Sequence, residues 1–209
     1  MDNRKAEGEL TFIAEARRTQ IINAAIATLD EIGFHHASLA QIAKRAGISP
    51  ALIAYHFRDK QELMDQTLIS LVEEAAEYVL RRVEQADTPT RKLHAFIDAS
   101  LAYQGAHPQR ATALIEIIFH ARTPDGVPYY KLEDDDDGAL ESTLRNILAD
   151  GQRAGEFREF HVEIMASIIQ SAIFEYAANR SLSAKVDMET YAAELTRLVD
   201  RAVLKDGGH

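Results

Sequence analysis

The chain has 209 residues, of which 46% are apolar and 27% charged, and its formal net charge is −10. These values are typical of a globular protein of one or two domains and exclude a largely disordered chain. The chain has no cysteine, which excludes disulfides, thiolate metal sites and a cysteine nucleophile. No apolar run approaches the roughly eighteen residues of a membrane span, and the charged N-terminus lacks the apolar segment of a signal peptide. We therefore expect a cytoplasmic protein without a membrane partner.

The charge is unevenly distributed along the chain. Residues 1–58 carry seven Lys or Arg and six Asp or Glu, so the rest of the chain holds a net charge of −11. An acidic surface repels nucleic acid, whereas a local basic footprint attracts it. Only the N-terminal end is therefore suited to a polyanion.

The first part of the chain predicts an arm followed by a helix. Residues 1–14 are interpreted as a flexible arm or a disordered tail, in which Arg4 and Lys5 are available to phosphates. A first helix is predicted from about Glu15 to Gly33. Arg17 and Arg18 lie early in this helix, where either a phosphate contact or a solvated helix face would explain them.

Two short helices joined by a tight turn are predicted between Ser38 and Lys60. Ser38 and Ser49 are suitable N-caps, and Pro50 fits a first helical position. Gly47 permits the left-handed conformation that ends a helix, which completes a helix-turn-helix pattern. The stretch carries four Lys or Arg and one Asp, a local net charge of +3. This positive footprint favours DNA binding, although a helical hairpin with a solvated basic edge would show the same pattern.

The same stretch resembles the DNA-binding domain of the tetracycline-repressor (TetR) family. The resemblance covers about residues 15–65 and lies in the order and spacing of short sequence marks. These marks are Ile22–Ala25, Gly33–Phe34, Ser38, Ile42–Ala43, Ala46–Ser49, Tyr55–Phe57, Lys60 and Leu63. The resemblance implies a dimeric repressor whose second domain binds a small ligand. After Leu63 the match is loose, so no ligand residue is carried over from the family.

We therefore expect an all-α protein of about nine helices. Residues 1–62 are predicted to form a three-helix helix-turn-helix DNA-binding domain. Residues 63–209 are predicted to form a larger helical domain for ligand binding and dimerisation. A long helix from Lys60 to about Gln85 would begin beside the first domain.

The start of the second helix of a helix-turn-helix enters the major groove. The residues predicted to contact DNA are Ser38, Ala40, Gln41, Ser49, Pro50, Ala51, Ala54, Tyr55, His56 and Lys60. The two alanines of the second helix can contact thymine methyl groups but donate no hydrogen bond, and Gln41 is the possible polar reader. Because this helix has no Arg, Asn or Gln, DNA shape is expected to contribute to specificity. Leu52, Ile53 and Phe57 are assigned to the core.

Residues 109–121 are apolar nearly all round, which predicts a helix buried on every side. Glu116 interrupts this helix, and His120 lies one turn further along the same face. A buried carboxylate needs a partner, so the pair is interpreted either as a structural hydrogen bond or as a ligand contact. No metal is expected because no third ligand has a suitable spacing, and no cofactor is predicted.

An apolar or amphiphilic small molecule is predicted to bind between the helices at 90–121 and 139–178. Its predicted contacts combine large apolar side chains with few polar ones, a mixture that is typical of ligand sites. They are Phe96, Tyr103, Ile115, Glu116, Phe119, His120, Phe174 and Tyr176. A solid core built from the same residues is the alternative.

The acidic run Glu133–Asp137 is interpreted as a solvated loop or the start of the next helix, with calcium binding as the alternative. That next helix is predicted to end at Gly151 and Gly155. Residues 162–178 and 188–204 form two amphipathic helices with surplus apolar width, which predicts a homodimer through these helices. Packing within one chain is the alternative.

Taken with the resemblance, these features predict a ligand-responsive DNA-binding transcriptional regulator. It would be a repressor that a small molecule releases from its operator, although the sequence alone does not distinguish a repressor from an activator. The chain carries no GxSxG, HExxH or glycine-rich phosphate loop, so no enzymatic activity is predicted. A helical enzyme and a protein-interaction adaptor are the alternatives. The expected partners are a double-stranded DNA operator, a small-molecule ligand and a second copy of the chain.

Overall fold

The computed structural model describes residues 3–132 and 138–205, with side chains from residue 12 onward. Within these residues the chain forms ten α-helices, one 3-10 helix and two isolated bridges. The α-helices are α1 (Asn3–His36), α2 (Leu39–Ala46), α3 (Pro50–His56), α4 (Lys60–Val83), α5 (Pro89–Ala106), α6 (Pro108–His120), α7 (Ala139–Ala154), α8 (Val162–Ala178), α9 (Arg180–Ser183) and α10 (Met188–Val203). The 3-10 helix is Tyr129–Lys131. The all-α prediction is confirmed, and the short α9 is the helix that the sequence did not indicate.

The chain forms two compact units. The first comprises Met1–Leu71 and Gln109–Leu132, and the second comprises Val72–Pro108 and Glu133–His209. The division falls inside α4, and most of α6 belongs to the first unit. The domain boundary predicted after residue 62 stays a prediction.

The first unit has its own apolar core, to which α1, α2, α3, the start of α4 and α6 contribute. Its fully buried members include Ile21, Leu29, Ile42, Ile53, Phe57, Leu63, Met64 and Ile117. The predicted core role of Ile53 and Phe57 is thus confirmed, whereas Leu52 is half-buried. Burying one face of each short helix leaves the opposite face of α2 and α3 in solvent.

α1 differs from its prediction at both ends. The backbone is helical from Asn3, so residues 3–14 do not form the expected arm. The side chains of Arg4 and Lys5 lie outside the described part of the structure. The predicted stop at Gly33 is a break in the helical backbone, with φ 74° and ψ 169°, after which one more turn reaches His36. Glycine adopts such a conformation without the steric cost that a Cβ would add.

α6 is buried on one side rather than all round. Within it only Ala113 and Ile117 are fully buried, and Phe119 is 43% exposed. The prediction, from the apolar composition of residues 109–121, that this helix is buried on every side was therefore wrong. Composition alone cannot show how many neighbours a helix acquires.

The second unit is built around α5, which is in contact with α7, α8 and α10. Its buried core includes Leu93, Phe96, Ile97, Leu101, Leu144, Leu148, Phe157, Ile169 and Val199. Gly151 lies inside α7 rather than at its end. A Cβ at this position would collide with the ring of Phe157, so the close packing of this ring requires glycine. The prediction of a helix end at Gly151 was wrong, whereas Gly155 does end α7 in the left-handed conformation.

The acidic run Glu133–Asp137 lies outside the described residues, so its predicted loop role and the calcium alternative stay predictions. None of the helices in the described ranges has the length and apolar character needed to cross a membrane.

Candidate nucleic-acid interface

Both short helices begin with the predicted caps. The hydroxyl of Ser38 accepts from the N–H of Gln41, whose side-chain oxygen accepts from the N–H of Ser38 at 3.0 Å. Ser49 caps α3 by accepting from the N–H of Leu52 at 3.2 Å. Gly47 adopts the left-handed conformation between the two helices. The capping predictions are therefore confirmed, and they define a rigid turn between α2 and α3.

Eight of the ten residues predicted to contact DNA are exposed. They are Ser38, Ala40, Gln41, Ser49, Pro50, Ala51, Ala54 and Tyr55. Tyr55 is 81% exposed, and its ring meets the His56 ring edge-on at 5.1 Å between centroids. An exposed strip of small residues with one large aromatic side chain can approach a base edge closely. Gln41 can contribute only its amide N–H groups to such a contact, because its oxygen is used in the cap of α2.

Two side chains of α1 hold the C-terminal ends of the short helices. Gln20 donates to the carbonyl of Ala46 at 2.7 Å, and Arg18 donates to the carbonyl of His56 at 2.7 Å. The Arg18 guanidinium also lies over the Phe57 ring, 4.4 Å from its centroid. Carbonyls at helix C-termini lack partners within the helix, so both contacts stabilise the fold. Arg18 thus has a structural role, and the phosphate contact considered for it stays a prediction.

The remaining two predicted residues, His56 and Lys60, are half-buried. Burial lowers the pKa of His56, and the charges of Arg18 and Arg17 lower it further. Lys60 donates from Nζ to the carbonyl of Phe34 at 2.6 Å and lies 4.4 Å from the centroid of the Phe34 ring. Burial lowers the pKa of Lys60. Lys60 thus has a structural role within the unit, and its phosphate contact stays a prediction.

Two other cations face solvent beside the predicted residues. Lys44 is exposed at the end of α2, and the Arg58 side chain is 82% exposed just after α3. Arg58 lies 3.4 Å from Asp59 in an exposed ion pair, and Arg45 forms an ion pair with Glu31. The local net charge of +3 does not show which of these cations is accessible. Exposure identifies Lys44 and Arg58 as the cations best placed to reach a phosphate.

Glu116 has a structural partner in α1. Its Oε2 accepts from the N–H of Phe34 at 2.7 Å, directly after the backbone break at Gly33. The Nδ1 atom of His120 lies 3.4 Å from the same oxygen, and its ring contacts the His35 ring at 5.1 Å. The structural reading of the Glu116/His120 pair is thus observed, and a ligand contact by either residue stays a prediction.

A second polar contact joins the loop after α6 to α4 within the same unit. The Tyr129 hydroxyl donates to Asp65 and accepts from the amide of Gln61. Burial, together with the hydrogen bond to Asp65 and its charge, raises the pKa of Tyr129 to about 12. This loop therefore packs against the start of α4, the helix that follows the helix-turn-helix.

The other predicted ligand contacts are divided between the units. Phe96, Tyr103 and Tyr176 are buried in the second unit, and Phe174 is half-buried there. The Tyr176 hydroxyl donates to the carbonyl of Val186, as a core residue would. In the first unit Ile115 is half-buried, and the ring of exposed Phe119 lies 5.8 Å from that of Tyr130. Their ligand roles stay predictions.

Among the described residues no group of three His, Asp or Glu could hold a metal ion.

Sequence reasoning missed Gln20 and the bonding partners of Arg18 and Glu116, which support the helix-turn-helix. Gln20 and Arg18 act on residues 26 and 38 positions away, and Glu116 acts on a residue 82 positions away. Local periodicity carries no signal for such pairs. The one available hint was that Glu116 is a charged residue in an apolar helix, which must find a partner.

Comparison with known proteins identifies this geometry. Residues 21–67 match the family model described as bacterial regulatory proteins of the tetR family. The matched segment contains all of α2 and α3 and ends in α4. It therefore coincides with the capped turn, the exposed strip and the core beneath it.

Relatives and solved structures extend the likeness beyond this segment. The HTH-type transcriptional regulator BetI of Yersinia pestis is 32% identical over 130 residues, which are 61% of this chain and 65% of that protein. The chain thus spans 65% of the length of that curated relative. BetI of Escherichia coli is 28% identical over 164 residues, covering 78% of this chain and 77% of that protein.

Among solved structures, the regulator FadR of Bacillus subtilis in complex with stearoyl-CoA has a TM-score of 0.74 at 20% identity. The alignment covers 87% of this chain and 96% of that chain, so the fold is shared over nearly the whole length. Residues 21–67 therefore match the DNA-binding segment of the tetR family of bacterial regulatory proteins, and nearly the whole chain shares its fold with a solved regulator.

Proposed function

We propose that this protein is a ligand-responsive DNA-binding transcriptional regulator that acts as a repressor in the cytoplasm. The observation that carries the proposal is the exposed strip on α2, α3 and their turn, which lies opposite a fully buried core face. In this proposal α3 enters the major groove with Ala51 and Ala54 against the bases, and Tyr55 beside them. Lys44, Arg58, Lys60 and the two capping serines bind phosphates and set the register.

A homodimer through α8 and α10 is part of the same proposal. Ile164 and Ile168 on α8 and Leu198 on α10 are between 56% and 60% exposed. Ile168 thus faces outward. Large exposed apolar side chains on neighbouring helices are typical of a protein interface. In the dimer two α3 helices would read half-sites about 34–36 Å apart or a multiple of that distance.

The ligand would act by population shift. A small molecule that binds one conformation of the dimer better than the other shifts the equilibrium towards it. The favoured conformation would hold the two α3 helices at a spacing that no longer fits consecutive grooves. The stearoyl-CoA bound to Bacillus subtilis FadR supports the idea that this fold accommodates a small molecule. The predicted ligand residues of both units remain candidates.

Selection of bound sequences from random duplex DNA tests the function. The wild-type chain is expected to enrich one sequence with two related halves. Ala54→Glu places a carboxylate against the base edges and should abolish binding with no loss of helical content. Ala102→Glu, at an exposed position of α5, is the matched control and should bind normally. Failure to enrich any sequence, or normal binding by Ala54→Glu, would contradict the proposal.

Sedimentation tests the assembly. Ile168→Glu should give a folded monomer at micromolar concentration, because a carboxylate in an apolar seam loses its water. Ile69→Glu, at an exposed isoleucine of α4, should remain a dimer. A wild-type chain that is monomeric both free and on DNA would exclude this interface.

A further inference from the structure

Two polar side chains lie in the middle of the buried face of α5, in the second unit. The exposed residues Asp98 and Ala102 mark the outer face of this helix. Ser100 and Gln104 are one turn apart and, at 3.6 residues per turn, lie on the opposite side, flanking the buried Leu93. Ser100 is buried at this position, and Gln104 is half-buried near the C-terminal end of the helix.

Each of these two side chains has a buried oxygen without a hydrogen-bond partner: Oγ of Ser100 and Oε1 of Gln104. The buried hydroxyl of Thr196 also lacks a partner, whereas two buried threonine hydroxyls of the first unit have one. Thr28 and Thr67 each donate to the carbonyl four residues earlier in their helix, at 2.7 Å. Ser100 does not make the corresponding bond to the carbonyl of Phe96.

Buried polar groups in folded proteins nearly always have a partner, because leaving one unpaired is destabilising. A partner that the chain does not supply must come from outside it. Two such oxygens one turn apart on the same helix face are within reach of a single small group. Their neighbours Leu93, Phe96 and Ile97 are buried and apolar. The surroundings are those of a ligand site with an apolar wall and few polar contacts.

We propose that Ser100 and Gln104 are the polar contacts of the ligand site in the second unit. The ligand is a neutral, largely apolar molecule with one hydroxyl or amide group, which donates to Oε1 of Gln104 and bonds to the hydroxyl of Ser100. This inference rests on the proposed function, because it names the chemistry of that ligand. It also differs from the contacts predicted from the sequence, which had selected aromatic and charged side chains.

The charges around α5 support a neutral ligand. Among the described residues of this helix, His94 lies at the margin of the buried face and is bonded to Asp200 of α10 at 2.7 Å. Asp98 is on the exposed face. Arg91 is paired with Asp87, and Lys92 lies eight residues, about 12 Å along the helix, from Ser100. None of these groups is a counter-charge beside Ser100 and Gln104. An ionised group placed there would lose its hydration without compensation.

A set of probes that differ only in the head group tests the ligand class. The full-length chain is melted with 1-hexanol, 1-decanol, hexanamide and decanamide, and with decanoate and decyltrimethylammonium as charged counterparts. We expect the neutral probes to raise the melting temperature and the ions to leave it unchanged. The Ser100→Ala/Gln104→Leu double variant should lose the shift. No shift with any neutral probe, a shift with the ions alone, or a shift that persists in the double variant would overturn the proposal.

The stability of the free chain provides a second test. Ser100→Ala removes an unpaired hydroxyl and should leave the melting temperature unchanged or raise it. Thr67→Val removes a paired hydroxyl of similar burial and should lower it by about 2–4 °C. An equal loss in both variants would show that Ser100 has a partner within the chain, which would overturn the inference.

DNA binding separates this inference from the function on which it rests. Without a probe, the double variant should bind the selected DNA as the wild type does. With a saturating neutral probe, wild-type affinity should fall by about tenfold, and the affinity of the double variant should not change. If the wild type binds no DNA, the proposed function fails, whereas the probe and stability results still decide the ligand site.

Discussion

Replacing Glu116 by alanine should weaken both the fold and DNA binding. The Glu116 carboxylate accepts from the backbone N–H of Phe34 at 2.7 Å, directly after the break in the helical backbone at Gly33. Hydrogen bonds to charged groups contribute roughly 1.5–3 kcal/mol. The Glu116 side chain is 25% exposed, so water can replace part of the lost bond. We therefore expect a loss of about 1.5–2 kcal/mol in the free energy of unfolding, in the lower part of that range.

The melting temperature gives a direct measurement of this loss. For a chain of this size, each kcal/mol corresponds to roughly 2–4 °C, so Glu116→Ala should melt about 3–8 °C below the wild type. Glu116→Gln retains an acceptor oxygen but no charge and should lose about half as much. An unchanged melting temperature for Glu116→Ala would refute the structural role of this carboxylate.

DNA affinity distinguishes a local role from a general one. Phe34 lies at the exit of α1, and its carbonyl accepts from Lys60 at the start of α4. Loosening this junction should lower DNA affinity by about 2- to 30-fold, which corresponds to a coupling of roughly 0.5–2 kcal/mol. Glu156→Ala is the matched control, since Glu156 accepts from the N–H and hydroxyl of Thr90 in the second unit. The control should lose stability but not affinity. Equal affinity losses in both variants would refute the reasoning.

Two further predictions concern charge. Lys44→Ala should weaken DNA binding about equally on all sequences and reduce by about one the slope of log K against log salt concentration. Lys60→Ala should have the same effects on binding and should also lower the stability of the fold, because Lys60 bonds to the carbonyl of Phe34. An unchanged slope in either variant would remove that lysine from the phosphate contacts. Because the folded pKa of Tyr129 is raised to about 12 from about 10, its contribution to stability is complete below pH 10 and is lost as the pH rises through 12. Urea unfolding should therefore show a steeper alkaline loss for the wild type than for Tyr129→Phe, and identical profiles would contradict this assignment.

The sequence predicted the helix-turn-helix well because its signals are local. The caps at Ser38 and Ser49, and the turn at Gly47, depend on residues within four positions of each other. The helical face periodicity likewise identified Ile53 and Phe57 as core residues. Local patterns of this kind are determined before any tertiary contact forms.

The features that the sequence did not show depend on distant parts of the chain. Gly151 was expected to end a helix, yet it is retained inside α7 because Phe157 packs directly against it. Lys60 was predicted to contact DNA, yet it also donates to the carbonyl of Phe34, directly after the backbone break at Gly33. In the candidate ligand region, large aromatic residues were selected by size. The unpaired oxygens of Ser100 and Gln104 follow from the packing of the folded chain and have no signal in the sequence.

The way α3 is held has a consequence for how operator preference can change. This helix has only seven residues, too few to be stable alone, and it is held by the Ser49 cap, by Arg18 at its end and by the buried Ile53. Ala51 and Ala54 take no part in this support, since both face solvent. Exposed positions of this kind usually tolerate substitution within about 0.5 kcal/mol. New base-reading side chains can therefore be tried at Ala51 and Ala54, by selection or by design, with little risk of unfolding the protein that carries them.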